Sequence, residues 1–122
     1  MRNQDILTSF EGLQKLRQAA TMRLPARTSF AIVRNIKTLQ PIVEDIQSTY
    51  NDLVRKYAEP VEDNQYKVKE SEAEIFSREL TNLYNYDTEV TLMKIHFSDI
   101  EALDFSIEEI EALYFMIDDG EA

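Results

Sequence analysis

Between Ile32 and Tyr57 the apolar residues recur at alternating steps of four and three: Ile32, Ile36, Leu39, Val43, Ile46, Tyr50, Leu53 and Tyr57. The mean step is close to 3.5 residues, the signature of a helix laid lengthwise against another helix. Ile36, Val43, Tyr50 and Tyr57 fall at one core position of this seam, and Ile32, Leu39, Ile46 and Leu53 at the other. The spacing predicts a helix over 28–57, about 45 Å long at about 1.5 Å per residue. That exceeds what a compact domain of this size needs, so the rest of the chain, a second copy or a partner must cover the seam. Pro41 sits inside it. A proline there removes one backbone donor and crowds the carbonyl of Lys37. The rhythm passes through without a change of phase, which predicts a kink rather than two separate helices.

Upstream, Asn3 suits the N-cap of a first helix over 3–21, with Ile6, Leu7, Phe10, Leu13, Leu16 and Ala20 on one face. Gly12 lies inside that helix and weakens it by about 1 kcal/mol relative to Ala. Pro25 turns the chain, and the two helices form a hairpin. Downstream, residues 59–64 around Pro60 read as a loop. Gln65 to Lys69 alternate as a short strand does. Ser71 and Glu74 have the spacing of a capping box, so a third helix is expected to about Tyr84 with Ala73, Phe76, Leu80 and Leu83 inward. Met93, Ile95 and Phe97 alternate with Lys94 and His96, which predicts a second strand paired with the first. Ser98 to Glu101 form a short turn of helix. Ser106 and Glu109 form the clearest capping box, with Phe105 and Ile110 as its hydrophobic staple. The last helix is expected to bury Ile110, Leu113, Tyr114 and Ile117. The apolar run from Leu113 to Ile117 circles a helical axis, so that helix is expected to be covered on more than one side. Tyr114, Phe115 and Met116 are the residues placed at an oligomer interface on that reasoning. The fold class is α+β, mainly α, in a single domain: a long helical hairpin with a small two-stranded sheet and two shorter helices.

The 122 residues and 43% apolar content fit one domain with one modest core. There is no cysteine, which excludes disulfides and thiolate metal sites. No apolar run reaches about 18 residues, so no membrane span is expected. Residues Met1 to Asp5 lack an apolar signal core, and an intracellular soluble protein is the natural expectation. The net charge of −10 is unevenly placed. Residues 1–58 carry nine basic and five acidic side chains, whereas residues 59–122 carry four basic and 18 acidic ones. The simple account is that the acidic half covers the basic half, within a chain or between copies. The acidic excess would repel phosphate, so binding to duplex nucleic acid is not expected.

Candidate chemistry is sparse. His96 is the lone histidine and has no partner recognisable from the sequence, so it reads as a surface residue. Glu108 and Glu109 fit the first turn of the last helix, where acids suit the dipole and the cap. No calcium-loop pattern accompanies them or Glu111, Asp118 and Asp119, and no metal or cofactor is expected. Nucleophile, base and cofactor loop do not assemble into a catalytic set, so the expected class is non-enzymatic. Arg23, Arg27, Arg34 and Lys37 form the most suggestive polar set, gathered at the start of the long helix. The simple account is that they pair with the acidic half; since such a place also suits phosphate, they are the candidate binding residues for a nucleotide-type ligand or an acidic protein partner.

The order of several motifs resembles a known family. Arg23-Leu24-Pro25 precedes a helix carrying Arg34-Asn35. Leu39-Gln40-Pro41 follows, then a charged helix ending in Lys56-Tyr57, and the chain closes with an aliphatic strand, a capped helix and Leu113 to Ile117. This resembles a family of small uncharacterised proteins from phages and prophages of Gram-positive bacteria. Where that family usually has a glycine after the lysine-tyrosine pair, Ala58 stands here. The resemblance spans nearly the whole chain and assigns no catalytic residue. It implies a product acting in the cytoplasm of the bacterial host. Two functions are then expected: a homo-oligomeric protein that binds a phage or host protein, in virion assembly or on a host target, or an anti-defence protein that sequesters a nucleotide signal or inhibits an immune effector.

Overall fold

The computed structural model describes residues 1–18, 24–61, 65–101 and 104–118. Helix α1 (Asn3–Gln18) lies against α2 (Ala26–Tyr57), as the hairpin predicts, and also against the short α4 (Ile107–Leu113). The core is built where these three meet. Ile6, Leu13 and Leu16 come from α1, and Ile32, Ile36, Leu39, Val43 and Ile46 from α2. Ile95, Ile100, Leu113 and Met116 close it from the later chain. The fold is α+β and mainly α, as expected.

Helix α2 runs unbroken through Pro41. Pro41 and Lys37 both face solvent. The proline therefore removes a donor from a carbonyl on the wet side of the helix, where water replaces it at small cost. The helix ends at Ala58, whose backbone is extended (φ −111°, ψ 155°) while its N–H still bonds the Val54 carbonyl. No left-handed residue terminates α2, so nothing at position 58 demands a glycine.

The strands pair differently from expectation. Residues 59–61, expected as part of a loop, belong with Ala58 to β1 (Ala58–Val61), antiparallel to β2 (Gln65–Val68). The strand near His96, β3 (Ile95–His96), does not join β2; it pairs in parallel with β4 (Ile117–Asp118). Alternation reports which face a strand buries, not which strand lies beside it. The adjacent segment closes a hairpin with β2 at far less cost in chain entropy than one some 30 residues away.

Two helix expectations also change. A single 3-10 turn over Glu70–Glu72 leads into α3 (Ala73–Asn85), which has Glu72 at its N-cap and no side-chain cap. The Ser71–Glu74 box therefore does not form, whereas the Ser106–Glu109 box does, with both reciprocal bonds. Phe76, Leu80 and Leu83 are half-buried, but Ala73 is exposed. The last helix stops at Leu113, followed by a 3-10 turn over Tyr114–Met116 and then β4. The apolar run is thus three successive backbone forms rather than one all-round helix. Leu113 and Met116 enter the core, Ile117 pairs with Ile95, and Tyr114, expected to be buried, is 70% exposed.

Gly12 is a contact residue, not merely a weak point. A Cβ built there would collide with the Cβ of Ala112 in α4, closer than side chains ever approach. Gly12→Ala is therefore expected to lower stability by about 1–3 kcal/mol by overpacking, although alanine is the better helix former. Urea denaturation checks this, and the double change Gly12→Ala with Ala112→Gly should recover most of the loss.

Candidate functional site

Three polar side chains pin the later chain onto the helical hairpin. Asn3, buried at the start of α1, donates from Nδ2 to the Leu83 carbonyl (2.8 Å) and accepts from the Thr88 hydroxyl (2.6 Å). Its own N–H bonds the Tyr86 carbonyl, while Arg2 bridges Asp87 in antiparallel fashion. Asn35, fully buried on α2, does for Met93 what a neighbouring strand would do. Its Oδ1 accepts from the Met93 N–H (2.8 Å), and its Nδ2 donates to the Met93 carbonyl (3.0 Å) and to the Met116 sulfur (3.3 Å). Asp99 receives two parallel bonds from Arg27, at 2.7 and 2.8 Å, and a third from the buried Thr28 hydroxyl at 2.8 Å.

This last contact decides the role of the basic set. Arg27 is committed to Asp99 in a bidentate pair, its pKa raised by that bond. The Asp99 carboxyl is held at about 2, below its usual 3.8, by the bonds from Arg27 and then Thr28. Arg23 lies outside the described residues. Arg34 and Lys37 are exposed on α2 and make no ion pair among the described residues. A groove of about 490 Å³ runs between α1 and α4, lined by Thr8, Glu11, Lys15, Glu108 and Glu111, and includes neither of them. Arg27 is thus spent on Asp99, and Arg34 and Lys37 lie on α2 away from that groove.

The aromatic turn after α4 divides. Tyr114 and Phe115 are exposed and stack edge to face, with centroids 5.5 Å apart at 89°. Met116, placed at an oligomer interface by the sequence pattern, is fully buried. The 3-10 turn carries it inward onto Asn35, so it is a core residue and not a contact for another molecule. His96 is half-buried in β3, opposite Asp118. Glu109 is held in the capping box, as expected.

A further surface was not legible as a site. From residue 47 to residue 94, Ala58 is the only buried residue among those described. Helix α1 has 16 residues against the 32 of α2 and cannot cover its full length. Beyond Ile46 the seam passes under α3 and the β1–β2 hairpin, and it stays partly open. Tyr57 meets Phe76 edge-on at 6.2 Å, but Tyr50, Val61, Tyr66 and Ile75 are all exposed. Leu83, Tyr84, Val90 and Leu92 pack against the main core, so the arm with apolar side chains and almost no core is the described part of 47–80. The signal was present in the length mismatch of the two helices. Comparison of the chain with protein families, with curated proteins and with solved structures finds no match.

Two outcomes follow from the clamps. Asn35→Leu removes the partner of the Met93 N–H and carbonyl, so stability should fall by about 1–3 kcal/mol and exchange of the Met93 amide should accelerate. Because the folded pKa of Asp99 is depressed, its stabilising effect is complete above about pH 4 and fades as pH falls towards about 2. Thermal midpoints measured from pH 5 to pH 2 should therefore drop more steeply for the wild type than for Asp99→Asn. Parallel curves would mean that the pair adds no pH-linked stability.

Proposed function

We propose that the protein works by binding other macromolecules, as a self-associating, non-enzymatic protein of a phage or prophage. Its place of action on this reading is the cytoplasm of the bacterial host, in virion assembly or on a host protein. The arm over residues 47–80 carries the proposal. It presents Tyr50, Val61, Tyr66 and Ile75 to solvent and leaves Leu53, Val54, Tyr57 and Phe76 only half-buried. Apolar side chains gathered in this way on a small chain are a surface for another protein. Tyr114 and Phe115 supply a second exposed aromatic surface. The phage setting rests on the resemblance in motif order.

Sequestration of a host nucleotide signal, or inhibition of an immune effector, is the second reading. Exposed Arg34 and Lys37 favour it, since they are positive and make no ion pair among the described residues. The bidentate commitment of Arg27 to Asp99 weighs against it.

Light scattering at micromolar concentration is expected to give a mass that is a multiple of 14.2 kDa. A monomer would end the self-association reading. Phe115→Asp should lower the mass with helicity retained if the terminal turn is the contact, and Tyr50→Asp should do so if the arm is. Met116→Asp should instead unfold the protein. A thermal shift with a panel of cyclic and linear nucleotides tests the second reading. A ligand at 100 times its Kd stabilises by about 2.7 kcal/mol.

A further inference from the structure

The β1–β2 hairpin has one closed edge and one open edge. In an antiparallel pair, residues that exchange backbone bonds alternate with residues whose N–H and C=O point away from the partner strand. Lys69 N–H donates to the Tyr57 carbonyl at 3.1 Å, which makes 57 and 69 a bonded pair. The register pairs Ala58 with Val68, Glu59 with Lys67, Pro60 with Tyr66 and Val61 with Gln65. Bonded pairs therefore recur at 59–67 and 61–65, and the backbone groups of Ala58, Pro60, Tyr66 and Val68 face outward. On β1 no donor remains: the Ala58 N–H is taken by the Val54 carbonyl, and Pro60 has none. On β2, Tyr66 and Val68 present N–H and C=O to the outside, with no backbone bond beyond their own sheet among the described residues.

We propose that the outer edge of β2 receives an extended segment of a partner protein in which apolar and acidic residues alternate. The inference rests on the binding reading above and names the surface and the partner chemistry. Backbone groups of Tyr66 and Val68 supply the ladder. Lys67, between them, then faces the incoming strand in a non-bonded pair, where side chains come closest and an opposite charge gains most. Glu59 stands opposite Lys67 on β1, yet Lys67 is exposed and makes no ion pair among the described residues, and Lys69 adds a second positive charge two residues on. The exposed ring of Tyr66 and half-buried Val68 lie on the other face, for the apolar positions. A second copy fits badly. The two-fold register that engages both Tyr66 and Val68 of each copy sets Lys67 directly opposite Lys67, and like charges in that position repel.

The full-length protein is titrated with a blocked seven-residue peptide of alternating valine and glutamate flanked by threonine, and with its lysine counterpart. Binding is read by fluorescence polarisation and by backbone amide NMR. The glutamate peptide should bind more tightly and should slow exchange of the Tyr66 and Val68 amides. Tyr66→Pro closes this edge as Pro60 closes the other, without removing a β1–β2 bond, and should abolish binding with helicity unchanged. If that variant fails to fold, Lys67→Glu decides: it should weaken the glutamate peptide by roughly fivefold and favour the lysine peptide. Equal binding of both peptides, no binding, unchanged exchange at Tyr66 and Val68, or dimerisation through this edge would overturn the proposal. A protein that binds neither peptide yet still self-associates would overturn the edge alone. A monomer that takes the glutamate peptide as described would overturn self-association alone.

Discussion

The fold depends on a substitution: side-chain amides stand where a β ladder would otherwise be needed. Between Tyr86 and Lys94 the chain is extended and irregular, yet it must deliver Ile95 and Ile100 to the core. Buried backbone groups cannot go unpaired without a cost of about 1–3 kcal/mol each. Asn35 meets this demand at Met93, where its amide bonds the N–H and carbonyl together, as a strand residue would. Asn3 does the same kind of work for the Leu83 carbonyl and also accepts from the Thr88 hydroxyl. An apolar residue at position 35 would suit the seam and leave Met93 unpaired. The Met116 sulfur also accepts from Asn35, so one side chain holds α2, the extended segment and the final turn in a fixed relation.

The charge asymmetry resolves less broadly than its size suggests. Among the described residues, two ion pairs join the basic and acidic halves: Arg27 with Asp99, and the Met1 amino group with Asp87. The other three are local pairs three or four residues apart on exposed helix faces. Such pairs contribute about 0–1 kcal/mol each and do not organise a fold. The acidic half does pack on the basic half, through α3 and α4, which lie against α1 and α2. Charge pairing between the halves is confined, among the described residues, to those two contacts, and at the better made of them Asp99, nearly buried, takes three bonds. Arg34 and Lys37 stay exposed and make no ion pair among the described residues.

Long, strongly periodic features were legible in the sequence, and features that depend on distant partners were not. The seam from Ile32 to Ile46, the hairpin and the Ser106 cap follow from local spacing, and each is present. The partners of the strands were not legible, because alternation at 65–69 and at 93–97 is the same signal whichever strand lies alongside. The run from Leu113 to Ile117 misled for a related reason. Read as one helix it is apolar all round, but a 3-10 turn changes the angle per residue and sends Met116 inward. Asn35 left a trace, since a single amide among Ile32, Ile36 and Leu39 is out of place on a buried face unless it has a partner. Arg27 left none: nothing in its neighbourhood distinguishes an arginine that will find Asp99 from one that will meet a ligand.

The division between a cored half and an arm without a core follows from element lengths alone. Helix α1 spans about 24 Å and α2 about 48 Å at 1.5 Å per residue, so half of the seam cannot be answered by the hairpin. Helix α3 and the β hairpin cover that half only partly, because a two-stranded sheet is too narrow to bury a helix face. An arm of this kind gains from contact with something outside itself, and its edges decide what that contact can be. The end of α2 takes the outward N–H of Ala58, and Pro60 takes away the next, so β1 cannot extend the sheet. Beside Tyr66 and Val68 no such block lies among the described residues, and on the proposed reading Lys67 makes the open edge selective. Closing one edge with a proline and a helix end, and leaving the other open under a lysine, limits strand addition to a single side and disfavours the protein's own copy there.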